Sequence, residues 1–342
     1  MRYFYRYLLI TLSGFFLLGW ILPQWLPIHY PRALGPTFSK FIRKDYQSLI
    51  DKQKPDVILL GNSVLINSMD ESQFESLTGR KTLSFATPGA ASAYWYLSIK
   101  NVIATASSPP KYVLLFFMDN ILTTPDQWVI GAYFPLIIDE IAGEQETVLL
   151  QKAYLNQLNP LENYLDSHYP LFGERLTLKD KIDNRIKYTL SYLFQNCAKP
   201  CLDKALEAAF GYKNMIPLMQ PQLESNSNEW SGREWDFNAL VEKSFLPDMI
   251  QITKERGIKL ILVREKNAKM MTLEDESSDM RNYFQELADH LKKEGIPLLD
   301  FAHDPNLTLD LFHDENMHLN PQARAVFTPL VADKFLTLIK EK

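Results

Sequence analysis

Hydrophobic and polar positions along this chain form short, predominantly apolar runs separated by stretches in which apolar residues recur at helical spacing. The runs fall at residues 56–60, 82–86, 112–118, 259–263 and 297–301. Helical spacing covers 38–51, through Phe38, Phe41, Ile42, Tyr46, Leu49 and Ile50, then 92–106, 236–256, 278–294 and 321–339. Continuous rather than alternating apolar strands are the mark of a parallel sheet buried on both faces. The predicted fold is therefore a three-layer α/β/α sandwich around a flavodoxin-like parallel sheet.

The alternation is lost between 121 and 235. That region is rich in aromatics, Leu and Pro, with helices expected at 144–158, 178–194 and 201–210 and a polar stretch at 224–233. It reads as a mainly helical insertion at one end of the sheet, serving as a lid, a substrate surface or a structural cap. The expected organisation is an anchor at 1–26, a first half of the α/β domain at 27–120, the insertion at 121–235 and a second half at 236–342.

The anchor comes from residues 7–22, YLLITLSGFFLLGWIL, an uncharged run preceded by Arg2 and Arg6 and edged by Trp20, Trp25 and tyrosines. This is the pattern of a membrane helix with an aromatic belt. A cleaved signal peptide is the rival, but no small-x-small cleavage site follows, so an uncleaved signal anchor is expected. A short amino-terminal tail before a long soluble body places that body outside the cytoplasm, although Arg32, Lys40, Arg43 and Lys44 on the far side weaken the positive-inside count. Cys197 and Cys201 are the only cysteines; in an oxidising compartment they can close a C-x-x-x-C disulfide, and otherwise they are free thiols.

Composition narrows the function. With 36 Lys and Arg against 41 Asp and Glu, the net charge of -5 offers no electrostatic case for a nucleic-acid partner. The histidines at 29, 168, 290, 303 and 313 show no metal-ligand spacing, so no metal site is expected; the expected chemistry names no cofactor either.

Ligand sites of parallel α/β sheets lie beyond the carboxyl ends of the strands. Four segments meet that condition: Gly61-Asn62-Ser63, Thr87-Pro88-Gly89, Met118-Asp119-Asn120 and the loop from His313 to His318. They supply a hydroxyl, a glycine amide, an amide side chain and an imidazole beside carboxylates, the parts of a serine-ester acyl-transfer site. Ser63 is the candidate nucleophile and His318 its base, with Asp314 or Glu315 orienting the imidazole. The Ser63 and Gly89 amides and the Asn120 side chain are the candidate oxyanion donors. Asn62 and Arg264 are placed as substrate contacts, Arg264 either meeting an anionic group or pairing with Glu265. Blander roles exist for each: Ser63 or Asn62 as a helix cap, Asn120 as a turn residue, and His318 as a residue that merely precedes a helix capped by Asn320.

This order of segments, GNS, a glycine loop, an asparagine after the third strand and a carboxylate shortly before His in HDENMHLNPQA, resembles the SGNH hydrolase superfamily. More particularly it resembles membrane-anchored SGNH-like proteins of bacterial cell-envelope polysaccharide modification. The resemblance covers about 55–120 and 245–340. It implies a nucleophile at Ser63, donors at Gly89 and Asn120 and a base at His318. It departs from the family in reading GNS for GDS, in FFMDN where G-x-N-D is usual, so that Asp119 competes with Asn120, and in placing Glu315 three and Asp314 four positions before His318.

The expected function is serine-dependent O-acyl transfer or ester hydrolysis on a cell-envelope glycan or glycolipid, at a bacterial inner membrane with the catalytic domain on its extracytoplasmic side. The partners implied are the membrane itself and a multi-spanning acyltransferase. A catalytically silent accessory protein that binds a glycan or such an acyltransferase is the alternative, and a lipid esterase with an acyl pocket in the aromatic insertion is a third reading.

Overall fold

The structure is a computed structural model that describes residues 2–21, 31, 35, 38, 44–127, 129, 138–173, 235–313 and 318–340. The chain divides into two compact units, one of Met1–Pro36 with Leu155–Arg233 and one of Thr37–Tyr154 with Glu234–Lys342.

In chain order the first unit opens with α1 (Arg2–Ile21), a helix long and apolar enough to cross a membrane. The second unit then supplies α2 (Lys44–Gln53), β1 (Val57–Gly61), α3 (Ser63–Ser68), α4 (Glu71–Thr78), β2 (Thr82–Ala86), α5 (Ser92–Leu97) and β3 (Tyr112–Phe117). The first unit returns with α6 (Pro160–His168) and α7 (Pro170–Gly173). The second resumes with α8 (Phe237–Leu240), α9 (Leu246–Glu255), β4 (Lys259–Arg264), α10 (Ser278–Glu294), β5 (Leu298–Asp300) and α11 (Pro321–Lys340).

The five strands are all parallel and ordered β2-β1-β3-β4-β5. Side chains alternate between the faces of each strand. Val57, Leu59, Leu114, Phe116, Ile261 and Val263 face the layer of α3, α4 and α11, where Phe74, Phe327, Val331 and Phe335 complete the core. Ile58, Leu60, Val113, Leu115, Leu260 and Leu262 are equally buried on the other face. Double-sided burial is why these strands lack alternation in the sequence. The strand order also creates a switch point: the chain leaves β1 toward β2 and later returns beside β1 as β3. The loops after β1 and β3 therefore flank the point where the strand order reverses, which is where parallel α/β sheets place their ligand sites.

Several helices differ from the spacing-based expectation. The stretch expected as one helix at 236–256 is two. Asp236 caps α8 by accepting from the Ala239 N–H at 2.9 Å, the chain turns at Ser244, whose Oγ accepts from the Leu246 N–H at 3.2 Å, and Pro247 starts α9 without needing an N–H partner. The helix expected at 92–106 widens after Leu97 into π-type turns over Ser98–Ile103, with the Ala104 N–H bonded to the Ile99 carbonyl. The helix expected at 144–158 is likewise broken into short turns over Thr147–Leu149, Leu150–Tyr154 and Leu155–Gln157. α4 had no counterpart in the hydrophobic pattern, because only Phe74 and Thr78 are buried along it. The helices expected at 178–194 and 201–210, the polar stretch at 224–233 and the Cys197–Cys201 pair lie outside the described residues.

Candidate active site

The apolar run of β1 ends at a glycine for a packing reason. A Cβ on Gly61 would lie 2.7 Å from the Cβ of Leu65 and 3.3 Å from that of Phe116, so α3 can fold back over the strand end only if residue 61 has no side chain. Asn62 then caps α3, its Oδ1 accepting from the Val64 N–H at 2.9 Å, while its Nδ2 donates to the Ala90 carbonyl at 3.3 Å. Ser63 is the first residue of α3 rather than its cap, and its hydroxyl is available for other work. Asn62, expected to contact substrate, joins the β1–α3 turn to the Gly89 loop through these two bonds. An aspartate could accept from Val64 but could not donate to Ala90. GNS in place of GDS thus has a local structural use.

His318 comes 255 positions later, and its Nε2 lies 3.0 Å from the Ser63 Oγ. The backbone holds it there. Phe312 and Leu319 form an antiparallel bridge, the His313 N–H donates to the His318 carbonyl at 3.0 Å, and the Asn320 N–H donates to the Leu311 carbonyl at 2.7 Å. Asn320 also caps α11, accepting from the Ala323 N–H at 3.1 Å, as its sequence position suggested. One turn on, the Arg324 guanidinium donates to the carbonyls of Ile66 at 2.6 Å and Asn67 at 3.1 Å, the unpaired end of α3. The helix that follows the histidine is therefore fastened to the helix that begins with the serine. Thr328 strengthens the same contact by accepting from the Asp70 N–H at 3.0 Å.

The glycine loop is a type II turn, with Pro88 and then Gly89 at its centre, Gly89 at φ 73° and the Ala90 N–H bonded to the Thr87 carbonyl at 3.0 Å. After β3, Asp119 takes the left-handed conformation, φ 59°, and Asn120 follows almost wholly buried. Asp tolerates that region better than most residues, and such positions collect at functional sites. The Asn120 carbonyl accepts from the Thr123 N–H and both neighbouring threonine hydroxyls, fixing the loop. Asp314 and Glu315, the two carboxylates proposed to orient His318, lie outside the described residues. The His313 ring stacks on that of His318, with centroids 5.6 Å apart and planes 10° apart.

Arg264 departs from both of its expected roles. It is buried, forms ion pairs with Glu276 and, at 3.3 Å, with Asp300, and stacks on Phe284 with its guanidinium carbon 3.2 Å from the ring centre. His303 joins through Nε2, 3.1 Å from the Glu276 carboxylate. This network ties β4, β5 and the start of α10 together, and its guanidinium is committed there rather than to a ligand or to Glu265.

Glu265, which the sequence offers only as a partner for Arg264, has a different place. It is 3% exposed, one carboxyl oxygen accepts from the Ser68 hydroxyl at 3.3 Å at the far end of α3, and the other has no hydrogen-bond partner. Burial pushes its carboxyl up to about 8, with the Ser68 hydrogen bond opposing, so near neutrality it is mostly a neutral acid beneath α3. The available signal was a charged triplet, Arg264-Glu265-Lys266, placed directly after a fully apolar strand.

No protein-family profile matches this chain, and no curated protein does. Solved structures do. A GDSL-like lipase from Bacteroides thetaiotaomicron aligns over 86% of this chain and 95% of its own, at 10% identity and a TM-score of 0.39. A candidate acylhydrolase from Bacteroides fragilis aligns over 82% and 87%, at 11% identity and a TM-score of 0.36. A candidate lipolytic protein of the G-D-S-L family from Desulfitobacterium hafniense aligns over 81% and 97%, at 9% identity and a TM-score of 0.36. At that degree of likeness, the chemistry of the site rests on this chain's own strand order and Ser63–His318 geometry. These three solved structures are described as an acylhydrolase, a GDSL-like lipase and a lipolytic protein of the G-D-S-L family, and the likeness to them is one of fold.

Proposed function

We propose that this protein is a serine acyl-transfer enzyme of SGNH type, acting as an ester hydrolase or an O-acyltransferase. The observation that carries the reading is the 3.0 Å contact between Ser63 Oγ and His318 Nε2 beside the switch point of the sheet. That is the distance at which an imidazole removes a hydroxyl proton.

In the mechanism we infer, His318 takes the Ser63 proton as Oγ attacks the ester carbonyl carbon. The tetrahedral oxyanion is met by the Ser63 amide, a first-turn N–H that the helix leaves without an intrahelical acceptor, by the Gly89 amide and by the Asn120 side chain. His318 then gives its proton to the departing alkoxide, leaving an acyl ester on Ser63. Water or a sugar hydroxyl, deprotonated in turn by His318, attacks that ester; the acyl C–Oγ bond breaks as His318 returns the proton to Oγ, which regenerates the Ser63 hydroxyl and the neutral imidazole. Asp314 or Glu315 is the group that would steady the imidazolium.

For the finer assignment, an acyl group carried to or from a cell-envelope glycan, the support is the sequence resemblance together with α1, whose length and apolarity suit a signal anchor. On this reading the catalytic unit is extracytoplasmic and a multi-spanning acyltransferase is its donor partner. Turnover of p-nitrophenyl acetate by the full chain tests the acyl-enzyme. Loss of turnover in Ser63→Ala and in His318→Ala is expected, and equal turnover in either variant overturns it. No turnover and no Ser63 acylation in the folded wild type would favour a silent accessory protein. An added oligosaccharide acceptor that takes up the acyl group faster than water does would identify a transferase.

A further inference from the structure

The first unit explains why an apolar helix and the 160–173 segment belong together. α1 carries large apolar side chains exposed along most of its length, from Tyr3 at 75% to Ile21 at 49%, and Gly19 is its one buried position among those whose burial is described. At Gly19 the short α6–α7 segment is seated. A Cβ there would lie 2.1 Å from the Tyr169 hydroxyl oxygen and 2.9 Å from Leu171 Cδ2. The Tyr169 ring stacks on Phe16 at 4.7 Å and 9°, lies 6.4 Å from Trp20, and its hydroxyl donates to the Phe16 carbonyl at 3.2 Å.

These contacts fall within the last turn and a half of α1, about 8 Å from its end at 1.5 Å per residue, the depth at which tyrosine and tryptophan collect at a bilayer surface. The segment leaves Leu161 (65% exposed), Tyr164 (59%) and Leu171 (39%) uncovered. Leu161, Tyr164 and His168 recur at i, i+3 and i+7 on one face of α6, and the Tyr164 and His168 rings stack at 4.4 Å. The other side of the helix start is wet: Asn159 and Glu162 form a reciprocal capping box in solvent. At nine residues α6 is about 13 Å long, less than half a hydrocarbon core, so it cannot cross a bilayer.

We propose that α6 and α7 form an interfacial membrane element, lying in the bilayer surface against the end of α1 with Leu161, Tyr164 and Leu171 immersed. This rests on α1 being a membrane span. The segment carries Glu162 and Asp166 and no lysine or arginine, so its attachment comes from apolar burial and the α1 tether rather than from anionic lipid.

The test uses the full chain in phosphatidylcholine liposomes containing a photoactivatable diazirine phospholipid, with adducts located by peptide mass mapping. Adducts in both α1 and 160–173, concentrated on Leu161, Tyr164 and Leu171, are expected. Adducts in α1 with none in 160–173 overturn the proposal and point to a protein-facing surface, while an α1 without adducts removes the span on which it rests. Gly19→Leu fills the seat of Tyr169 and Leu171 and is expected to cut labelling of 160–173 severalfold with α1 still labelled. Unchanged labelling in that variant overturns the seating at Gly19.

Discussion

Replacing Glu265 by Gln should stabilise the protein, and by an amount that depends on pH. Burial raises the Glu265 carboxyl from an ordinary 4.5 to about 8. Between those values the folded chain holds a proton that the unfolded chain has released, so stability falls as pH rises, by about 1.4 kcal/mol per pH unit. Below 4.5 the residue costs nothing by this route; at pH 7 the cost reaches about 3 kcal/mol, and above 8 it levels off near 5 kcal/mol. Glutamine does not titrate, and its carbonyl oxygen can keep the bond from the Ser68 hydroxyl. Urea unfolding of the full chain in detergent, followed by intrinsic fluorescence at pH 5.0, 6.0, 7.0 and 7.5, isolates the effect as the difference between Glu265→Gln and wild type. That difference should widen by about 3 kcal/mol from pH 5.0 to 7.5. Parallel curves, with the same difference at every pH, would refute the claim that a buried neutral acid sits under α3.

Arg324→Ala removes the two bonds that fasten α11 to the end of α3 and should lower stability by about 2 kcal/mol, with a fall in turnover as Ser63 and His318 lose their common support; thermal unfolding and kcat check the two effects. Asn62→Asp keeps the Val64 cap but loses the donor to Ala90, so about 1 kcal/mol of stability and several-fold in kcat should go, whereas Asn62→Ala loses the cap as well and about twice that stability. Gly61→Ala should cost about 1–3 kcal/mol by crowding Leu65 and Phe116, read as a lowered urea midpoint, and an unshifted midpoint would show that α3 can lift off the strand.

The sheet was legible in the sequence because its inner strands, buried on two faces, carry an apolar residue at nearly every position, so that the runs at 56–60 and 112–118 differ from β1 and β3 by a single position; the edge run at 82–86, less apolar, is β2 to the residue. The meeting of Ser63 with His318 was legible for a related reason. Both follow or precede elements whose packing the apolar pattern determines, and a parallel sheet gathers its strand ends at one rim. The continuity of helices was not legible. Apolar spacing is preserved across 236–256 even though Ser244 and Pro247 break the backbone, since the pattern registers which side chains are buried and not which N–H groups are paired. The fate of Arg264 was hidden as well. Its principal partner, Glu276, lies in the loop before α10, and nothing local distinguishes that carboxylate from the neighbouring Glu265, which turns instead toward Ser68.

The most direct measurement of the central claim is reaction of the full chain with a fluorophosphonate, followed by intact mass and peptide mapping. The account predicts a single adduct on Ser63, absent in Ser63→Ala and formed at least about 100-fold more slowly in His318→Ala, the usual contribution of a positioned general base. An adduct on another residue, or labelling of Ser63 at the same rate without His318, would contradict it.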